Sequence, residues 1–140
     1  MALDILFVDD DLITREVVSR HLRLRGHRVE IGVNGIDALA RTGKTRFDVV
    51  ISDFEMPEMG GLDLLIRLRQ EQPLARVIVL TGHVEISVVM SCLREGAFSF
   101  LAKPLGDCSE LDRHVDQAGW LVDAWRSQLS RMQRLAREEL

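Results

Sequence analysis

Ile5-Leu6-Phe7-Val8-Asp9-Asp10-Asp11 is a run of four apolar residues leading straight into three carboxylates. A short, unbroken aliphatic run bounded by polar turn residues reads as a strand buried on both faces, because a strand with one wet face would alternate. The pattern recurs along the chain. Val49-Val50-Ile51 leads into Ser52-Asp53, Val77-Ile78-Val79-Leu80 into Thr81-Gly82, and Phe98-Ser99-Phe100-Leu101-Ala102 into Lys103-Pro104. A weaker, partly alternating run covers residues 28–33. Helical spacing fills the gaps. Ile13, Val17, Val18 and Leu22 form a stripe stopped by Gly26; Ile36, Leu39 and Ala40 form a shorter one stopped by Gly43. Leu62, Leu65, Ile66 and Leu68 precede Pro73, while Ile86, Val89, Met90 and Leu93 follow i, i+3, i+4, i+7 before Gly96. Alternating strands and helices predict an α/β fold with a parallel sheet, helices on both faces and right-handed crossovers.

Composition narrows the function classes. The 140 residues are 46% hydrophobic and 29% charged, which argues for a packed core and against disorder. No apolar run approaches the ~18 residues of a membrane span. Met1-Ala2-Leu3-Asp4 has no basic region followed by an apolar stretch, so no secretory signal is expected. Cys92 and Cys108 fit no CxxC pattern and read as two reduced thiols of a cytoplasmic protein. A net charge of −4 gives no reason to expect a nucleic-acid partner.

The last part of the chain differs from the rest. From residue 107 onward there is no proline and no further strand, and apolar residues fall at Leu111, Val115, Ala118, Val122, Trp125, Leu129, Met132 and Ala136. Steps of four and three are a heptad register and predict one long helix, with a bend expected near Gly119, a poor helix former. The flanking positions offer few ion pairs, so two outcomes stay open: a parallel coiled coil, or packing back onto the domain.

In an open α/β sheet the carboxyl ends of the strands share one edge, where ligands bind. Asp9, Asp10, Asp53, Thr81 and Lys103 should therefore converge. Singly, each has an ordinary explanation: an Asp after a strand is a common helix cap, and Asp11 is read that way, while a Thr or Lys there is usually a turn residue. Together they fit a chemistry. Clustered carboxylates repel unless a hard divalent cation such as Mg²⁺ sits among them. A carboxylate beside such an ion can attack phosphorus, with an ammonium and a hydroxyl stabilising the transferring group.

The stretches 6–11, 48–61 (Asp48-Val49-Val50-Ile51-Ser52-Asp53-Phe54-Glu55-Met56-Pro57-Glu58-Met59-Gly60-Gly61), 77–82 and 98–104 together resemble the receiver domain of bacterial two-component response regulators. The resemblance covers about residues 3–120 and has no gap at a chemical position. It implies a flavodoxin-like, doubly wound, five-stranded sheet of order 2-1-3-4-5, to which the heptad spacing adds an extended C-terminal helix. It implies Asp53 as phosphoacceptor, and Asp9, Asp10, Asp53 and the backbone carbonyl of Glu55 as ligands of Mg²⁺, which Mn²⁺ could replace. Thr81 and Lys103 would stabilise the phosphoryl group, and Thr81 and Phe100 would form the switch. The Lys103-Pro104 bond would be cis. Glu55 and His83 occupy positions that tune phosphoryl lifetime in the family, although a solvated loop side chain is the simpler reading of both.

The resemblance implies as donor a sensor histidine kinase or phosphotransfer protein, and no enzymatic activity beyond the domain's own aspartyl phosphorylation and dephosphorylation. A homodimer through helix 4, strand 5 and helix 5, or through the C-terminal helix, is expected. So is a division into a receiver domain (1–120) and a helical extension (121–140) running toward an output domain. The twenty residues left over are too few for a DNA-binding domain, so no direct nucleic-acid contact is expected. Two other readings stand beside this one. Phe7-Val8-Asp9-Asp10-Asp11 also resembles the DxD motif of haloacid-dehalogenase-type phosphohydrolases, with Asp9 as nucleophile and Asp11 as acid/base, but that leaves Asp53 and its loop unexplained. A degenerate receiver serving only as a binding module conflicts with retention of all five chemical residues.

Overall fold

The computed structural model describes residues 1–83 and 85–139. Five strands and five helices alternate: β1 (Asp4–Val8), α1 (Leu12–Leu24), β2 (Arg28–Gly32), α2 (Gly35–Thr42), β3 (Val49–Asp53), α3 (Gly61–Glu71), β4 (Arg76–Thr81), α4 (Ile86–Arg94), β5 (Ser99–Ala102) and α5 (Ser109–Glu138). The strands form one parallel sheet of order β2-β1-β3-β4-β5. Leu140, the last residue of the extension expected over 121–140, falls outside the described residues.

The aliphatic runs are strands because both their faces are covered. Ile5, Phe7, Val49, Ile51, Ile78 and Leu80 point to one side, where Val18 and Leu22 of α1 and Leu111, Val115 and Ala118 of α5 meet them. Leu6, Val8, Val50, Val77 and Val79 point to the other, against Ala38 of α2, Leu64, Leu65 and Leu68 of α3, and Cys92 of α4. β2, at the sheet's edge, is only partly buried, which is why its sequence alternates.

The helices sit on the sheet along narrower lines than their sequence stripes suggest. Ile13 and Val17 of α1, Ile36 of α2, and Ile86, Met90 and Leu93 of α4 are exposed, and only Val18, Leu22, Ala38, Val89 and neighbouring small residues reach the core. Periodicity locates an apolar face but not how much of it a flat sheet covers.

α5 is continuous for 30 residues, about 45 Å, with no interruption at Gly119. Gly119 is instead a packing notch: a Cβ there would stand 2.8 Å from Leu3 Cδ1 and 3.0 Å from Met1 Cε. Leu111, Val115, Ala118 and Val122 are buried against the sheet, whereas residues 126–139 are exposed throughout. Two contacts hold the helix where it passes the sheet's lower edge. The Arg126 guanidinium pairs with the buried Asp48 carboxylate, and Trp125 lies under the Arg76 guanidinium, 4.3 Å from ring centroid to the carbon. Asp48 Oδ2 also accepts the Asp4 N–H at 2.7 Å.

Candidate functional site

At the upper edge, β1, β3, β4 and β5 each deliver a polar residue. The register sets Val8 beside Ser52, Asp53 beside Leu80, and Thr81 beside Ala102, so Asp9, Asp53, Thr81 and Lys103 emerge at neighbouring positions. One oxygen from each of Asp9, Asp10 and Asp53 lies within 4.8 Å of the others. Asp9 and Asp53 are buried, while Asp10 is open to solvent.

Local hydrogen bonds aim these groups. The Asp11 N–H donates to Asp9 Oδ1 (2.9 Å) and the Arg15 guanidinium to the Asp9 carbonyl (2.9 Å), which fixes the turn between β1 and α1. Asp11 itself caps α1, accepting from the Thr14 N–H and hydroxyl at 2.9 and 2.6 Å, and these bonds hold its carboxyl below the usual carboxylate range. Beyond β3 the chain doubles back so closely that a Cβ on Gly61 would lie 2.5 Å from Phe54 Cα, and the Gly61 N–H donates to the Phe54 carbonyl at 2.8 Å. Only glycine fits at position 61, whereas nothing crowds Gly60. The Lys103 N–H donates to the Thr81 carbonyl (2.8 Å), and the Lys103-Pro104 peptide is cis.

The charges are strongly coupled. Lys103 Nζ stands 2.8 Å from Asp9 Oδ2 and 3.3 Å from Asp53 Oδ2. Burial works against the Lys103 ammonium, but its bonds and attraction to Asp9 and Asp53 outweigh it, and its pKa rises. Asp53 moves up: burial raises it most, Asp9 adds repulsion, and Lys103 together with the Glu55 N–H (3.3 Å) offsets only part. Three carboxylates therefore share a single ammonium. Its donors are all oxygens, the set a hard divalent cation prefers, so these residues fit Mg²⁺.

Thr81 is buried, and its hydroxyl donates to the His83 carbonyl (2.9 Å) while also standing 3.3 Å from Glu55 Oε1. His83 Nε2 lies 3.4 Å from Glu55 Oε2, both side chains largely in solvent. Phe100 is half-buried, packed into the cluster that contains Phe54 and Met56. The structure thus brings together Asp9, Asp10, Asp53, Thr81, Lys103, Glu55 and His83. Arg15 was missed from the sequence, since an Arg in a first helical turn carries no mark that it will reach back to a strand-end carbonyl.

A five-stranded doubly wound sheet with an acidic cluster and a lysine at its carboxyl edge defines a class of proteins, and the comparisons with known proteins name the family. The model of the response regulator receiver domain matches residues 5–116, and the chain belongs to that family. A response regulator receiver protein of Anaeromyxobacter is 41% identical over 100 residues, covering 71% of this chain and 42% of that protein. The structure of an adenylate cyclase from Rhodopirellula baltica matches with a TM-score of 0.87 at 27% identity, covering 95% of this chain and 98% of that one. The response regulator TrrA of Thermotoga maritima, solved in complex with Mg²⁺-BeF, matches with a TM-score of 0.74 at 29% identity, covering 82% of this chain and 97% of that one. The chain spans less than half the length of the curated relatives it matches. No helix among the described residues is long and apolar enough to cross a membrane.

Proposed function

We propose that this chain is a phosphorelay receiver in which Asp53 accepts a phosphoryl group from a histidine-phosphorylated kinase or phosphotransfer protein. The observation that carries the reading is the buried Asp53 carboxylate, 3.3 Å from Lys103 Nζ and within metal-sharing distance of Asp9 and Asp10. An Asp53 oxygen attacks phosphorus, the phosphorus–nitrogen bond to the donor imidazole breaks, and the imidazole leaves with a proton. Asp9, Asp10, Asp53 and the Glu55 carbonyl would hold Mg²⁺, with Mn²⁺ a substitute. The ion would neutralise charge on the transferring oxygens. Lys103 pairs with one of those oxygens, and the Thr81 hydroxyl leaves the His83 carbonyl to bond another.

That movement of Thr81 opens the space into which Phe100 turns. The switch then alters the surface of α4, β5 and α5, where Ile86, Met90 and Leu93 are exposed and available to a partner or a second copy. Glu55 and His83, at the mouth of the site, set how readily water reaches the acyl phosphate. The catalysis is limited to the domain's own phosphorylation and dephosphorylation, in the cytoplasm, with no direct nucleic-acid contact. Residues 1–120 form the receiver and residues 121–140 its helical extension. The hydrolase alternative loses its acid/base, because Asp11 is engaged in capping α1.

Acetyl phosphate with Mg²⁺ should add one phosphoryl group, read as an intact-mass increase and mapped to Asp53. Asp53→Asn should abolish it. A mass increase that survives Asp53→Asn, or that maps to Asp9, overturns the reading.

A further inference from the structure

Of the three clustered carboxylates, two are held by direct bonds. Asp9 Oδ1 accepts the Asp11 N–H at 2.9 Å, and Asp9 Oδ2 accepts from the Lys103 ammonium at 2.8 Å. Asp53 Oδ1 accepts the Glu55 N–H at 3.3 Å, and Asp53 Oδ2 stands 3.3 Å from the same ammonium. Asp10 differs. It is exposed, it lies between β1 and α1, and among the described residues it makes no hydrogen bond by backbone or side chain. One of its oxygens nevertheless lies within 4.8 Å of an oxygen of each of the other two.

A side chain with no bond of its own is placed by its backbone. The Asp9 carbonyl and the Asp10 N–H belong to one rigid peptide plane. The chain enters that plane from a fixed point, because the Asp9 N–H donates to the Gly32 carbonyl at 3.2 Å. The plane's rotation is then set by Arg15, whose Nη1 donates to the Asp9 carbonyl at 2.9 Å. The direction in which Asp10 leaves the chain follows from that rotation. The start of α1 does not need the Arg15 side chain. Asp11 caps the helix through Thr14, and the Arg15 N–H donates to the Asp11 carbonyl at 3.0 Å whatever side chain follows it.

The simpler role for an arginine beside three acids is that of a counter-charge. Its charge is felt nearby: the Asp11 carboxyl is lowered chiefly by its Thr14 bonds, and Lys103 and Arg15 add attraction. Yet the cation that pairs with Asp9 and Asp53 is Lys103, and Arg15 reaches ion-pair distance of none of the described carboxylates. The two roles have opposite signs for a bound divalent ion. A positive charge nearby repels the ion, so removing it tightens binding. A bond that orients a ligand without touching the ion supports binding, and its loss weakens it, typically by about 10–100-fold.

We propose that Arg15 is a positioning residue for the divalent cation: its bond to the Asp9 carbonyl sets the Asp9–Asp10 peptide plane and so presents the Asp10 carboxylate to the ion that Asp9 and Asp53 share. This role rests on the reading of Asp9, Asp10 and Asp53 as a metal site, and is independent of which residue accepts a phosphoryl group.

The test titrates the full chain with Mn²⁺, which takes the same oxygen ligands as Mg²⁺, without phosphodonor, and reads free Mn²⁺ from its paramagnetic resonance signal. Arg15→Met is neutral and helix-compatible. It should raise the Mn²⁺ dissociation constant about tenfold with an unchanged circular dichroism spectrum. Arg15→Lys keeps the charge on a shorter donor and should fall between that variant and the parent. If the methionine unsettles the fold, the lysine decides alone: a counter-charge predicts parental affinity, a positioning bond a loss of several-fold. In Asp10→Asn, which lacks the carboxylate that Arg15 places, adding Arg15→Met should weaken the remaining binding by no more than about twofold. Mn²⁺ bound by Arg15→Met as tightly as by the parent, or more tightly, would overturn the proposal. So would a tenfold loss that persists undiminished beside Asp10→Asn, because Arg15 would then act elsewhere than through Asp10. A parent chain that binds no Mn²⁺ brings down the metal site itself and this role with it, a result distinct from either.

Discussion

Asp53 is an acid held in a place that disfavours its charge. Burial raises its pKa first, Asp9 adds to the rise, and Lys103 with the Glu55 N–H takes back only part. An acid whose pKa is higher folded than unfolded binds more protons when folded. Its contribution to stability is therefore fully present below the unfolded pKa, near 3.8, and is lost as the pH rises through the folded value. At neutral pH the carboxylate is a net cost kept for chemistry. Asp53→Asn in metal-free buffer at pH 7.5 should therefore stabilise the domain, by on the order of 1 kcal/mol, and the gain should shrink toward pH 4. Thermal unfolding in EDTA at several pH values measures it; a variant equally or less stable at pH 7.5 would show that Lys103 fully compensates Asp53. The five polar residues were legible in the sequence because each stands within two residues of the end of an aliphatic run, and strand ends share an edge. Arg15 was not, because its bond to the Asp9 carbonyl depends on how the first turn of α1 is set, which no residue pattern records.

At the scale of elements, strands were easier to read than helix faces. A strand of a doubly covered sheet is apolar at nearly every position, so its bounds are visible, and all five strands lie within a residue or two of the runs that announced them. A helix on a flat sheet buries a line of residues, and its stripe extends past that line. Ile13, Val17, Ile36 and Ile86 carry core-like periodicity without core burial. α5 shows the same limit most clearly. Its heptads continue from a buried half into an exposed one, and what divides them is the pairing of Arg126 with Asp48, 78 residues apart, which no local pattern marks. Asp48 is almost wholly buried, while Arg126 is half exposed. Removing only the arginine leaves a carboxylate without a counter-charge. Arg126→Ala should cost on the order of 2–3 kcal/mol, less than a fully buried pair because solvent screens the arginine. Adding Asp48→Asn should recover most of that, because the amide oxygen still accepts the Asp4 N–H while the charge is gone. Urea unfolding of both variants, with unchanged denaturant slope, checks this. A double variant no more stable than Arg126→Ala would show that the arginine acts through packing and not through charge.

Across the whole molecule the net charge of −4 conceals an uneven distribution. Three of the acids lie within ligand distance of one another at the upper edge of the sheet, answered by Lys103 alone. An oxygen-only cluster whose charges repel in the folded state, and disperse on unfolding, should bind a divalent cation in preference to the unfolded chain. Binding to the folded form alone stabilises by RT ln(1 + [L]/Kd), or about 2.7 kcal/mol at a hundredfold excess over Kd. For a domain of this size that corresponds to a rise in Tm on the order of 10 °C, reversed by EDTA. Three controls separate specific binding from screening. NaCl at matched ionic strength should not reproduce the rise, because screening acts on all surface charges and weakly on buried ones. Asp10→Asn should remove most of it, since Asp10 is the exposed member and its loss leaves the buried pair with Lys103 intact. Lowering the pH should remove it too, and the raised pKa of Asp53 means protons compete for the site at a higher pH than for an ordinary aspartate. A Tm that follows ionic strength and ignores both Asp10→Asn and pH would mean that the acidic edge holds no ion, and the assignment of Asp9, Asp10 and Asp53 as a metal site would fall with it.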